Sequence, residues 1–175
     1  MSQPIKIGIS ACLLGDSVRY DGGHRLDPYL KETLGRSVEW IPFCPEVECG
    51  LGVPREPMHL VDDGRLIRLV TIDTACDHTG LFLRWLEKKL AELESTGIRG
   101  FVLKARSPSC GVRDVSIVDP SGCEIRKGAG LFTAALKNTW HSLPVEDEGS
   151  LHDNHVRGDF MERVQAYMGT GKHFV

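Results

Sequence analysis

Short apolar runs alternate with longer amphipathic ones along this chain, and the alternation predicts strands and helices in turn. "KIGIS", about residues 5–10, spaces Ile7 and Ile9 as a short buried strand does. The turn-rich "CLLGDSVRYDGG" follows it. A polar-apolar helix is expected from Asp27 to Leu34, with Gly35 as its stop. "VEWIPF" (38–43) reads as the second strand and runs into Cys44. "RLIRLVTI" (65–72) alternates as a more exposed strand does. Asp77 is placed to cap a helix through "GLFLRWLEKKLAELE", whose apolar face is Leu81, Leu83, Trp85, Leu86, Leu90 and Leu93. Gly97 closes that helix.

Beyond it, "RGFVLKA" (99–105) is the clearest buried strand, and "VSIV" (115–118) precedes the turn "DPSG". "GAGLFTAALKNTW" opens with glycines and becomes helical. The acidic "VEDEG" reads as a linker to a terminal helix marked by Val156, Phe160, Val164 and Tyr167, and "GTGKHFV" reads as a loose end. Strands alternating with helices predict the α/β class: a single domain with a Rossmann-like, mostly parallel sheet and helices on both faces. A mixed sheet with an antiparallel edge is the next option. Residues 1–148 form the α/β domain on this reading, and 149–175 the C-terminal helix and tail.

Composition narrows the function. At 175 residues and 41% hydrophobic content, the chain is long enough for one domain with a real core. Its apolar runs fall short of the roughly 20 residues that cross a bilayer, so no membrane partner is expected. "MSQPIKIGIS" lacks the features of a signal peptide, which makes the cytoplasm the expected compartment. There, six cysteines point to reduced thiols, metal ligands or catalysts rather than a disulfide framework. A net charge of −3 argues against a broadly basic nucleic-acid binder. It leaves room for a local basic patch from Arg19, Arg25, Arg55, Lys104, Arg106 and Arg113, hence for a phosphate-bearing substrate.

In an open α/β sheet, functional groups meet beyond the C-terminal strand ends. Three predicted ends finish in cysteine: "IGISAC" at Cys12, "VEWIPFC" at Cys44 and "FVLKARSPSC" at Cys110. Buried fillers explain any one of them, but the repeated placement points to a shared thiol site. Cys49 is a competing or auxiliary ligand, while Cys76 and Cys123 read as structural. Glu46 follows a proposed ligand by two residues and is either a proton donor or acceptor or a solvated loop carboxylate. Ser107 and Ser109 flank Pro108, where they either cap a turn or donate into the crevice. Arg19, Tyr20 and Asp21 in "RYDGG", with Arg55 in "VPREP", are candidate substrate contacts. The histidines form no metal-ligand spacing.

Together "ISACLLGDSVRYDGG", "FCPEVECGLGVPREP" and "LKARSPSCG" resemble the thiouracil desulfidase family, in the family's order and from Lys6 to about Glu148. The resemblance implies a [4Fe-4S] cluster held by Cys12, Cys44 and Cys110, with one open iron. It implies Glu46 as the catalytic glutamate and Ser107 as the active-site serine. The implied reaction is non-redox removal of sulfur from a small thiolated pyrimidine such as 2-thiouracil or 4-thiouracil. Two-domain relatives act on thiolated tRNA, and the expanded "CPEVECGLGVPREP" looks closer to theirs. This chain ends soon after the point where their second domain begins. The alternative substrates are therefore 4-thiouridine nucleotides or tRNA. Many single-domain relatives have a small residue where Cys49 stands, which implies ligand exchange or an oxidative pairing with Cys44. Readings from other classes are a three-cysteine zinc hydrolase and a non-enzymatic RNA- or partner-binding module built on the terminal helix.

Overall fold

Isoleucines at alternate positions build strand β1 (Ile5–Ser10): Ile7 and Ile9 pack on one side, and Gly8 leaves room for the Phe101 ring on the other. A Cβ at Gly8 would sit 2.3 Å from that ring. The structure, a computed structural model, describes residues 4–168; "GTGKHFV" lies outside the described residues. β1 pairs in parallel with β2 (Val38–Phe43), residue for residue from Ile5↔Val38 to Ser10↔Phe43. A sharp turn of 3-10 helix, Ala11–Leu14, follows β1, and a single helical turn, α1 (Pro45–Glu48), follows β2.

A second sheet starts with β3 (Met58–Asp62) and β4 (Ile67–Thr71), paired antiparallel. Helix α2 (Thr79–Leu93) leads to β5 (Phe101–Leu103), which lies parallel to β1. β6 (Val115–Val118) pairs in parallel with β3 and antiparallel with β7 (Glu124–Gly128). Helix α3 (Leu131–Thr139), strand β8 (Val145–Asp147) and helix α4 (Asn154–Ala166) complete the described chain. The first sheet is therefore fully parallel in the order β2-β1-β5-β8, and the second is mixed in the order β4-β3-β6-β7.

One core lies between the sheets. Phe101 and Leu103 meet Leu60, Leu69 and Ile117 from the second sheet, with Phe82, Leu86 and Phe132 from α2 and α3. Rings of Phe43, Phe101 and Phe132 stack edge-on or tilted at 5.0–5.9 Å between centroids. On the opposite face, Ile7, Ile9 and Val102 pack against Leu30, Phe160 and Val164. The C-terminal helix thus seals the parallel sheet, and it starts on Asp153, whose carboxylate accepts from the amides of His155 and Val156.

The α/β architecture with helices on both faces of a parallel sheet is what the alternation predicts. Several local expectations change. The strands form two sheets, and β3 and β7 are additional. "VEDEG" is not a linker: Val145–Asp147 is a buried edge strand paired with β5. Its acidic side chains are satisfied there by Arg113 and by Ser150, so their charge does not keep the segment in water. The expected helix at 27–34 is a π-helical turn, Tyr29–Thr33, followed by a 3-10 turn, Leu34–Arg36. Leu83 faces solvent, and Phe82 takes the inner position on α2. Among the described residues, no helix is long and apolar enough to cross a membrane.

Candidate active site

Because β2, β1 and β5 are parallel neighbours, the segments leaving their C-terminal ends emerge side by side. Each brings one thiol to the same place. Cys12 sits in the 3-10 turn after β1, which Gly15 ends in a left-handed conformation at φ 103°. Cys44 directly follows β2 and stands at the N-terminal cap of α1, whose first position is Pro45. Cys110 lies in "RSPSCG" after β5. All three line one cavity of about 370 Å³.

The cavity also gathers most of the other predicted residues. Glu46, Ser107, Ser109, Arg19, Tyr20 and Arg55 contribute to its wall. Asp21 does not: it accepts from the Gly23 amide at 3.0 Å and stands 3.4 Å from Arg19, so it positions the arginine. Cys49 is absent from the wall. It is buried in the intersheet core, with its thiol on the Glu46 carbonyl at 3.2 Å. Cys76 and Cys123 are exposed elsewhere. Arg25, Lys104 and Arg106, foreseen as a local basic patch, reach the cavity too.

The buried carboxylate of Glu46 is held from two sides. Arg55 donates to Oε2 through Nε at 2.8 Å and approaches the same oxygen with a terminal nitrogen at 2.6 Å. Ser109 Oγ donates to Oε1 at 2.8 Å. Both oxygens accept, which is the arrangement of an ionised carboxylate ready to take a proton. Arg55 thus serves Glu46 directly, whereas the sequence suggested an anionic substrate as its partner.

The two serines also divide their tasks. Ser107 Oγ accepts from the amides of Ser109 at 3.3 Å and Cys110 at 3.2 Å, so it caps the turn. Ser109, 1% exposed, touches both Glu46 and the Cys110 sulfur, the latter at 3.7 Å. A further participant escaped the sequence reading: Ser10, buried at the end of β1, accepts from the Lys104 amide at 3.0 Å and hydrogen-bonds the Cys110 thiol. A small polar residue ending an apolar strand is the faint signal that could have revealed it.

"RSPSCG" is clamped from below by α3. Amides of Gly130, Leu131 and Phe132 donate to the carbonyls of Gly111, Pro108 and Ser109 at 2.8, 3.1 and 2.9 Å. Thr133 Oγ1 donates to the Cys110 carbonyl at 2.6 Å. The loop's carbonyls thereby satisfy helix-terminal donors that would otherwise be orphaned. Arg106 opens the loop in the left-handed region, at φ 60°.

Burial governs the thiols. It pushes the Cys12 thiol up to about 11, with Cys44 adding to the rise and Lys104 and Arg19 opposing it. Burial also raises Cys44, with Glu46 contributing. It raises Cys110 most, reinforced by Cys44 and Glu46 and opposed by hydroxyl hydrogen bonds from Ser10 and Ser109. Three soft donors around a cavity with Phe43 in its wall suit a bulky, thiophilic group. Among the described residues, no three His, Cys, Asp or Glu side chains are grouped closely enough to hold a single metal ion.

A family model described as 2-thiouracil desulfurase matches residues 7–148. Over 145 residues the chain is 30% identical to the uncharacterized protein YbbK of Bacillus subtilis (strain 168), covering 80% of this chain and 95% of that protein. Among solved structures, it is similar to the [4Fe-4S]-dependent thiouracil desulfidase TudS, with 35% identity and a TM-score of 0.67. That likeness covers 89% of this chain and 98% of the other.

Proposed function

The chain belongs to the 2-thiouracil desulfurase family, and on that premise we propose that it hydrolyses the thiocarbonyl of a thiolated pyrimidine to the carbonyl and sulfide, using a [4Fe-4S] cluster held by Cys12, Cys44 and Cys110. The observation that carries this reading is the convergence of three thiols, those of Cys12 and Cys110 buried and that of Cys44 half-buried, and of the Glu46–Ser109 pair on one cavity. The thiols come from three separate loops and surround a space, which suits a multi-atom cluster better than one zinc ion. A cluster with three protein ligands supplies one open iron, a soft Lewis acid for the thiocarbonyl sulfur.

The chain's own residues supply the proton chemistry. Arg55 fixes Oε2 of Glu46 and leaves Oε1 on the Ser109 side to accept a proton from water. Apolar side chains of Val18, Phe43 and Met58 in the wall favour a flat pyrimidine ring.

The rim favours a substrate that carries phosphate over the free base. Arg25 and Arg106 line the cavity, and no carboxylate of the described residues pairs with either. Arg19 lines the wall beside them, held by Asp21 at 3.4 Å from its Nε. A 4-thiouridine nucleotide would place its ring inside and its phosphate among these guanidinium groups.

The test is anaerobic purification with iron and sulfide analysis, followed by sulfide release from 2-thiouracil, 4-thiouracil and 4-thiouridine monophosphate. Glu46→Gln is expected to keep the cluster and lose turnover by roughly 100- to 10,000-fold. Stoichiometric zinc without iron would overturn the cluster, and full turnover in Glu46→Gln would overturn the assigned base. Equal rates on the nucleotide and the free base would remove the role given to the rim.

A further inference from the structure

We propose that Lys104, backed by Glu148, is a fixed positive charge beside the cluster site, and that it raises the electron affinity of the open iron. The inference rests on the desulfuration reading of the cavity and names a positioning residue for its Lewis acid. Lys104 directly follows β5 and Glu148 directly follows β8, so the parallel pairing of these strands brings the two residues together. There the Lys104 ammonium forms an ion pair with Glu148 Oε1 and donates to the Ala105 carbonyl at 3.3 Å. Glu148 Oε2 accepts from the Ala105 amide at 2.7 Å. The Lys104 amide donates to Ser10 Oγ at 3.0 Å. Main chain and side chain of the lysine are both tied down, so its charge stays where the fold puts it. Two of the three ammonium protons are spent on Glu148 and Ala105, which sets Lys104 apart from the phosphate-binding rim of Arg25 and Arg106.

The pair is neutral in sum, but it is oriented. Lys104 stands in the cavity wall with Cys12, whereas Glu148 lies outside that wall. The Cys12 thiol registers the difference: burial and Cys44 push it up, Lys104 pulls it down, and Glu148 pushes it back by less. Arg19 also draws Cys12 down, but its partner Asp21 is 38% exposed, and water screens so open a pair. Lys104 and Glu148 are 21% and 15% exposed, so their field is screened less. A cluster held by three thiolates is anionic in sum, and its net charge and surroundings set its potential. A cation fixed at its edge favours electron density there. It therefore raises the reduction potential and strengthens the iron as an acceptor of a sulfur lone pair. The work is divided across the sheet: Glu46, after β2, takes the proton of water, and Lys104, after β5, supplies the positive field.

The test uses the full chain, prepared anaerobically and loaded with iron, as wild type, Lys104→Met, Lys104→Arg and Glu148→Gln. The midpoint potential of the cluster is read by mediated titration with electron paramagnetic resonance, beside iron content and sulfide release from 2-thiouracil. Lys104→Met removes a positive charge and should shift the reduction equilibrium towards the oxidised form by about tenfold, which is about 59 mV for one electron. Its kcat should fall roughly 100-fold. Glu148→Gln removes the opposing negative charge and should move the potential the other way. Lys104→Arg keeps the charge and should stay near wild type in both. A merely structural role would not give opposite signs in two variants that break the same ion pair. Potentials that stay unmoved, or that move in the same direction, would overturn the inference. Should Lys104→Met fail to hold iron, an unmoved or lowered potential in Glu148→Gln would overturn it equally. Iron-loaded wild-type protein that releases no sulfide from any thiolated pyrimidine would overturn the desulfuration reading instead, and the potentials would still decide the effect of the charge.

Discussion

Gly130 lies outside the cavity wall, yet adding one methyl group there should disable the site. Its backbone, at φ −65° and ψ 159°, is open to any residue, so Gly130→Ala adds no conformational strain. The penalty is steric. The new Cβ would lie 2.6 Å from both the carbonyl carbon and the oxygen of Ser109, and 2.9 Å from the Cys110 amide nitrogen. All three are backbone atoms and cannot rotate aside. To restore ordinary contact at 3.4 Å, the loop or the start of α3 must retreat by about 0.8 Å. Overpacking of this kind costs about 1–3 kcal/mol, which for a chain of this size lowers Tm by roughly 2–12 °C. A displacement near 1 Å at the reacting groups costs about 100-fold in rate. Thermal unfolding, iron content and sulfide release should therefore fall together in Gly130→Ala. Wild-type values for all three would refute the clamp of α3 on "RSPSCG".

A second glycine should respond in the opposite sense. Gly158 lies within α4 with nothing within 4 Å of an added Cβ, so Gly158→Ala should raise unfolding free energy by about 0.5–1 kcal/mol in urea melts, with turnover unchanged. Cys44→Ala should lose the cluster absorbance of anaerobic protein, while Cys49→Ala should keep it, because only Cys44 reaches the cavity; the reverse result would exchange their roles. The metal-free protein should also weaken in alkali. Since Cys12 is raised from 9.0 to about 11, the folded chain keeps a proton there that the unfolded chain has lost. That contribution is complete below 9.0 and declines as pH rises towards 11, by about 1.4 kcal/mol per pH unit. Urea melts of wild type and Cys12→Ser across that window should diverge, and parallel curves would contradict the assignment. Finally, Arg55→Gln should slow sulfide release and alter its pH profile while iron content holds, since the Arg55 guanidinium hydrogen-bonds Glu46 and the Gly52 carbonyl rather than a thiol.

How much of the fold could be read from the chain depended on whether burial left a mark in the side chains. "VEWIPF" and "VSIV" coincide with β2 and β6 because apolar side chains occupy their core-facing positions. β7 left no such mark: as an edge strand with nearly every residue exposed, "EIRKG" needs no apolar alternation. β8 was obscured in another way. Glu146 and Asp147 are buried yet polar, and what makes them tolerable is Arg113, contributed by a loop more than thirty residues earlier. The residues themselves carry no sign of that partner.

At the site, the parallel order β2-β1-β5 explains why cysteines far apart in sequence could be grouped correctly by position alone. Strand ends are a coarse coordinate, and three thiols just past three adjacent ends must share a neighbourhood. Roles within a motif need a finer coordinate. In "SPSC" the two serines are two residues apart and chemically identical. Which one reaches Glu46 depends on how the turn is closed, and that is decided by α3 holding the carbonyls of Pro108 and Ser109. Ser107 becomes the cap and Ser109 the contact to the carboxylate because a helix three elements further along fixes the loop. The same reasoning places Ser10 beside Cys110 through the pairing of β1 with β5, although the two residues are a hundred positions apart. Chemistry at this cavity is thus named by its thiols and directed by hydroxyls whose significance exists only in the folded chain. Substitutions at Ser10 and Ser109 should consequently separate cluster retention from proton transfer, a distinction that removing any of the three cysteines would obscure.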